Sequence, residues 1–273
     1  MSTDGISYSI FKETMADMTF PELARAAERR AVVLWGLGVI EQHGPHLPLN
    51  TDAVIAQELA RRIAGRWGDE FDLWLLPTLS LSLSREHDWA PGTLALGIET
   101  FVALIKDLAR EIVRTLPARN MIIVNGHGGN RGVLDNLMHD LYSQLGLNVC
   151  AIHPFDLSRA QAVDAGADVH GGRNETSVML ALAPHLVRTE LMAACAAAAD
   201  RDAIAALIFD RGATFPWRSD DPRLAVDGVI GDPRGASREL GQAIIESVIA
   251  QTRPVLARLL ENQRRLSRAL RGG

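Results

Sequence analysis

The apolar run Ala31 to Leu37 leads directly into Gly38-Val39-Ile40-Glu41-Gln42-His43-Gly44-Pro45-His46-Leu47-Pro48-Leu49-Asn50-Thr51-Asp52. This junction constrains the fold more than any other stretch. An apolar run, a polar loop and then an amphipathic pattern from Ala53 predict a buried strand, a loop at its carboxyl end and a helix. Into that loop the chain places Glu41, His43, His46 and Asp52, with glycine and proline between them limiting the backbone conformations that must be frozen. Oxygen and imidazole donors without thiolate suit Zn, Mn or Fe(II). Asp52 alone has a simpler use as the N-cap of the next helix. Capping does not require Glu41, His43 and His46 as well, so the loop reads as a metal site.

The same arrangement recurs along the chain. A short helix is expected from Thr19 to Leu23 with Thr19 as its cap, within a first segment running from Phe11 to Arg30. The helix after the organising loop is expected over Ala53 to Arg66, with Val54, Ile55, Leu59 and Ile63 on one face. Leu73 to Pro77 predicts a second strand, ended by Pro77. A Ser-rich loop over Leu79 to Leu96 follows and contains Glu86, His87 and Pro91-Gly92-Thr93. Ile98 to Leu116 is apolar at helical spacing. Met121 to Val124 predicts a third strand and meets Asn125-Gly126-His127-Gly128-Gly129-Asn130 at once. No Gly-Lys-Ser/Thr follows there, so a phosphate loop is disfavoured. Asn148 to Ile152 predicts a fourth strand.

His170 then sits beside Gly171 and Gly172, and Glu175 opens an apolar helix over Val178 to Ala183. The helix dipole favours a carboxylate at that end, which gives Glu175 a purely structural reading too. An Ala-rich helix is expected after Met192, an irregular rim or lid over Thr214 to Arg218, and a turn cluster at Gly228 to Pro233. A last helix from about Ser237 should be kinked or divided at Pro254. Polar groups thus collect at the carboxyl ends of strands, where open α/β sheets bind ligands.

With 273 residues, 47% of them hydrophobic, and no internal repeat or linker, residues 1–273 read as a single soluble α/β domain. Cys150 and Cys195 have no Cys or His neighbour at metal spacing and read as small buried hydrophobes. The formal net charge is −5, and the basic cluster Arg264, Arg265, Arg268 and Arg271 reads as the solvated face of a terminal helix. Nucleic acid is therefore not expected as a partner. The polar opening, Met1 to Ser9, and the lack of a membrane-length apolar run place the expected compartment in the cytoplasm, with no membrane partner.

Glu41-Gln42-His43-Gly44-Pro45-His46 with Asp52, Pro91-Gly92-Thr93, Asn125 to Asn130, and His170-Gly171-Gly172-Arg173-Asn174-Glu175-Thr176-Ser177 occur in that order, with Gly231-Asp232-Pro233 near the end. Together they resemble the creatininase (creatinine amidohydrolase) family, from about Val32 to the final helix. The resemblance implies a three-layer α/β/α fold with a mostly parallel central sheet and two divalent ions per subunit (Zn, Mn or Fe). It implies Glu41, His43, Asp52 and His127 as ligands, with Asp52 bridging, and a homo-oligomer, commonly a hexamer. The implied activity is cleavage of a non-peptide C–N bond in a small cyclic amide or formamide, and one branch of the family trims a modified peptide precursor. The expected chemistry is attack on the carbonyl by hydroxide generated between the ions. His170 would protonate the leaving nitrogen.

Two departures shape this expectation. Gly129 stands where creatininase proper carries a glutamate, and Glu175 is the nearest replacement, serving as ligand and catalytic residue. The two substrate tryptophans of the creatinine enzyme are replaced by Pro154 or Phe155 and by Gly166, so the pattern looks more like the formamide deformylase and mycofactocin-precursor peptidase branches. His87 and Trp217 are the expected substrate contacts. Gly36-Leu37-Gly38 suggests a nucleotide-binding oxidoreductase only until Glu41, which occupies the third glycine position. No Gly-x-Ser-x-Gly elbow supports a serine nucleophile. A non-catalytic metal-dependent binding protein would leave His170 without a role.

Overall fold

A strand with no polar face must be covered on both sides, and its alternating side chains then supply two separate cores. β1 (Val32–Leu37) is buried at every position. Val32 and Leu34 enter one core, and Val33, Trp35 and Leu37 enter the other. The computed structural model describes residues 14–26, 31–116, 118–160, 168–195, 200–209 and 212–269. The expectations placed on Phe11, residues 27–30, Gly166 and Arg271 lie outside the described residues. Ahead of β1 lies α1 (Phe20–Ala26), capped as expected, since the Thr19 backbone N–H and hydroxyl both donate to Glu22 at 2.7 Å.

After β1 come α2 (Thr51–Phe71), β2 (Leu73–Leu79), α3 (Ile98–Thr115), β3 (Asn120–Asn125), α4 (Arg131–Leu145), β4 (Asn148–Ile152), α5 (Pro154–Leu157), α6 (Arg173–Leu182), α7 (Arg201–Ile204) and α8 (Arg238–Ala269). The strands pair in parallel in the order β2-β1-β3-β4. One face is covered by α2, whose Ile55, Leu59, Ile63, Trp67 and Phe71 recur every fourth residue, together with α6 and α8. The other is covered by α3, through Phe101, Ile105 and Ile112, and by α4, through Leu134, Leu137 and Leu141. The result is the expected three-layer α/β/α architecture. The winding reverses between β1 and β3, so the loops leaving those strands part to opposite faces and open a crevice at the carboxyl edge.

Several boundaries differ from the sequence expectation, each for a local reason. β2 continues through Pro77 to Leu79, because an edge strand tolerates a residue with no N–H on its open side. α2 begins at Thr51 and continues to Phe71, ending at Asp72 in the left-handed region (φ 49°). α6 begins at Arg173, which places Glu175 inside its first turn. After Met192 the described residues show a 3-10 turn over Thr189–Cys195, then α7 and a π turn over Ala205–Phe209, rather than a long helix. The Ala-rich stretch over residues 196–199, where part of that helix is expected, lies outside the described residues. α8 is not divided at Pro254: Ile244, Ile245 and Val248 before it and Leu256 and Leu259 after it all enter the same core. Arg264 and Arg265 are exposed on this helix, as expected. Cys195 is buried, Cys150 only partly so, and Cys195 does have an imidazole neighbour, with Sγ 3.7 Å from His46 Nδ1.

Candidate metal centre

Glycines at the ends of β1 and β3 let the start of α2 settle between the two strands. A Cβ on Gly38 would lie 2.5 Å from Ala53 N, and one on Gly126 would lie 2.5 Å from Asp52 O. Only bare backbone permits that approach. It sets Asp52 against the loops that carry Glu41, His43 and His127. Asn50, not Asp52, is the N-cap of α2. The Asp52 carboxylate instead meets His43 Nε2 at 3.0 Å through Oδ1 and His127 Nδ1 at 3.1 Å through Oδ2.

Three groups of side chains converge here, each with donor atoms within 4.8 Å of one another: Glu41, Asp52 and His127; His43, Asp52 and Glu175; and Glu41, His43 and His170. Asp52 belongs to the first two and offers a different oxygen to each. Glu41 Oε1 lies 3.2 Å from His127 Nδ1 and 3.8 Å from His43 Nε2, and Glu175 Oε2 lies 3.9 Å from His43 Nε2. Glu41 Oε1, Asp52 Oδ2 and His127 Nε2 are buried without an aligned hydrogen bond. Buried polar atoms are rarely left in that state. The two carboxylate oxygens of this set converge on His127 Nδ1 and fit a divalent cation, while Nε2 lies on the far side of the ring.

The electrostatics agree. Burial alone would push His43 down, but Asp52, with Glu175 and Glu41 behind it, holds it at about 9. His127 is likewise held well above its ordinary value against its own burial, chiefly by Glu41 and its contact with Asp52. Burial raises Glu41 and pushes Glu175 up to about 8, whereas Asp52, despite its burial, is held low by His43 and His127. Glu175 also keeps its helix-end role, accepting the Gly171 N–H at 2.6 Å.

His170 is carried into the site by a short antiparallel pairing with Ile230. That pairing follows a tight turn in which Asp227 and Gly228 adopt φ of 48° and 83°, the combination required by a two-residue hairpin of this hand. His170 Nε2 donates to the Gln42 carbonyl at 2.7 Å, which leaves Nδ1 unprotonated and 3.6 Å from Glu41 Oε1. Burial, with His87 and His43 nearby, holds the ring well below its ordinary value and so neutral. His87 stacks on it, with ring centroids 3.9 Å apart, and Trp217 meets His87 edge-on at 6.0 Å. Both His87 and Trp217 line a cavity of about 600 Å³, together with Glu41, Asp52, His127, His170 and Glu175. The Thr214 to Arg218 segment does form part of its rim, through Phe215, Pro216, Trp217 and Arg218. His46 is turned away, with Nε2 2.9 Å from Thr176 Oγ1. Pro154 and Phe155 form α5 and Phe155 packs into the core, so neither lines the cavity.

Sequence reading missed the residues that hold this cluster in place. Ser84 Oγ donates to Glu41 Oε2 at 2.6 Å. The Gln42 Nε2 amide, with two hydrogens to donate, lies 3.0–3.1 Å from His87 Nδ1, Ser219 Oγ and Gly228 O, and the Gln42 carbonyl accepts from His170 Nε2, so this one residue ties the loops around the site together. Glu86 Oε1 lies 3.3 Å from His127 Nε2. The available signal was the empty side-chain position at Gly129, which requires any carboxylate beside His127 to come from another segment.

Residues 16–256 match the family profile Creatininase, described as creatinine amidohydrolase. The chain belongs to the creatininase family. It is 34% identical over 228 residues to the mycofactocin precursor peptide peptidase of Mycobacterium tuberculosis (strain CDC 1551 / Oshkosh), covering 78% of this chain and 79% of that one. It is 29% identical over 266 residues to the creatinine amidohydrolase of Pseudomonas putida, covering 88% and 94%. A solved creatininase described as the Mn form superposes with a TM-score of 0.72 at 25% identity, covering 91% of this chain and 98% of the other.

Proposed function

We propose that this creatininase-family chain is a metal-dependent amidohydrolase that cleaves a non-peptide C–N bond in a small cyclic amide or formamide. The observation that carries the reading is the pair of ligand groups sharing Asp52 at the floor of a cavity, with the free Nδ1 of a neutral histidine at their edge. Glu41, Asp52 and His127 would hold one ion, and His43, Asp52 and Glu175 the second. The ions are Zn, Mn or Fe(II), as the donor set suits; the manganese form of the related creatininase supports a divalent metal. When bound, such ions act as Lewis acids that polarise a carbonyl and make water more acidic.

The protein's own residues supply the rest. Glu41 is fixed by Ser84, so its Oε1 stays directed at the cluster. His170, neutral and anchored through Nε2, presents Nδ1 as a proton acceptor. It can take a proton from the attacking water and return it to the leaving nitrogen, so the donor role follows from an acceptor role. His87 and Trp217, set edge-to-face, offer aromatic surface beside the ligand cluster that a planar amide can contact. Phe215 and Trp217 add apolar surface to the cavity lining.

A second reading is a peptidase that trims a modified peptide. It is favoured by the higher identity to the mycofactocin precursor peptidase than to the creatinine enzyme. The chain is further expected to be a homo-oligomer and cytoplasmic; no helix among the described residues is long and apolar enough to cross a membrane. The test is a hydrolysis screen of lactams, cyclic ureides, formamides and short carboxyl-terminal peptides, using metal-loaded and chelator-stripped protein. Turnover of an amide or formamide that vanishes on chelation and returns with metal supports the first reading. Turnover of peptides alone favours the second, and chelation-resistant hydrolysis contradicts both.

A further inference from the structure

The geometry points to Glu86 as the carboxylate that orients His127, in the space that Gly129 leaves open. A Cβ at position 129 would lie 2.5 Å from His127 Nε2 and would overlap the Glu86 carboxylate. A side chain at 129 and Glu86 in its present place therefore exclude one another. The absence of a glutamate at 129 and the presence of Glu86 beside the ring are two sides of one arrangement.

Glu86 and the ligand cluster face different nitrogens of His127. Nδ1 lies 3.2 Å from Glu41 Oε1 and 3.1 Å from Asp52 Oδ2, while Nε2 lies 3.3 Å from Glu86 Oε1. The two nitrogens of an imidazole point away from each other, so a group at Nε2 does not share an ion held at Nδ1. Glu86 therefore acts through His127 and is a positioning residue. A carboxylate at the second nitrogen of a metal-binding histidine fixes its tautomer and ring orientation and raises its basicity. The Glu86 side chain is only 16% exposed. Its own carbonyl accepts the Ser219 N–H at 3.0 Å, which ties it to the segment that carries Trp217.

This role rests on the metal-centre reading, and the experiment separates the two. Wild type, Glu86→Gln and Glu86→Ala are stripped of metal, checked for native circular dichroism and titrated with Co(II) against a chelating dye. The ligand-field spectrum is recorded at saturation. The expected result is equal stoichiometry and an unchanged saturated spectrum in all three. Glu86→Ala should bind one ion about 10–100-fold more weakly than wild type. Glu86→Gln, which keeps an acceptor without the charge, should fall between. Wild-type affinity in Glu86→Ala overturns the role of Glu86 alone. Loss of one ion at saturation with an altered spectrum makes Glu86 a direct ligand and also overturns it. A wild-type protein that takes up no Co(II) overturns the centre itself. Glu86→Gln keeps the assay decisive if the alanine variant does not fold.

Discussion

Replacing Glu175 by glutamine should strengthen the metal-free fold while weakening the centre. Glutamine keeps the length of the side chain and an oxygen that can accept the Gly171 N–H, now bonded at 2.6 Å. The charge is what changes. Burial pushes the Glu175 carboxyl from an ordinary 4.5 up to about 8. A group whose folded value is raised leaves stability intact below its unfolded value and costs stability as pH rises towards the folded one. For Glu175 that window runs from about pH 4.5 to 8, and at pH 7 the cost is on the order of 3 kcal/mol. Urea unfolding of metal-stripped protein should therefore show Glu175→Gln more stable than wild type at pH 7 and equal to it near pH 4. The same variant should lose one tightly held ion. The competing view makes Glu175 only a helix-end group, worth about 0.3–1 kcal/mol. A variant that is slightly less stable at both pH values and still holds two ions would refute the ligand assignment.

The remaining predictions concern the frame around the site. Gly126→Ala would press a methyl group against Asp52 O, 2.5 Å from the ideal Cβ; displacing α2 should cost about 1–3 kcal/mol and weaken metal uptake, and thermal melting with metal content unchanged from wild type would contradict it. Asp168 is pushed up to about 6 by burial, only partly offset by the Asn174 and Arg173 N–H groups. Its stability contribution is thus intact below about pH 4 and about 2–3 kcal/mol is lost as pH passes 6. Asp168→Asn should gain on wild type between pH 4.5 and 7, and a constant difference across that range would show that Asp168 does not titrate in this way.

The strands and their order of polar loops were legible because the apolar runs are short, unbroken and bounded by glycine or proline. The three-layer architecture is implied by the family resemblance, whereas the strand patterns alone indicate an α/β chain with polar loops at its strand ends. Asp52 reads as more than a cap because capping does not explain the three other polar residues in the same loop. Glu175 is harder: it accepts from Gly171 while facing His43, and sequence alone offers no way to choose between a helix-end role and a ligand role. The positions of Glu86 and Gln42 are not legible in the sequence because they depend on contacts across more than forty residues. His46 shows the opposite error, since a histidine in the right loop turned into the core to meet Thr176 and Cys195. The ends of α2, α6 and α8 depended on packing against the shared core, which overrode the local signals at Ala53, Val178 and Pro254.

The central claim is a two-ion centre bridged by Asp52, and metal content tests it most directly. Protein purified without chelator, or reconstituted and desalted, is measured by inductively coupled plasma mass spectrometry beside Asp52→Ala. The geometry predicts two divalent ions per chain in wild type and the loss of at least one in the variant, because Oδ1 and Oδ2 face separate ligand groups. Less than one ion per chain in reconstituted wild type, or two ions retained in Asp52→Ala, would contradict it.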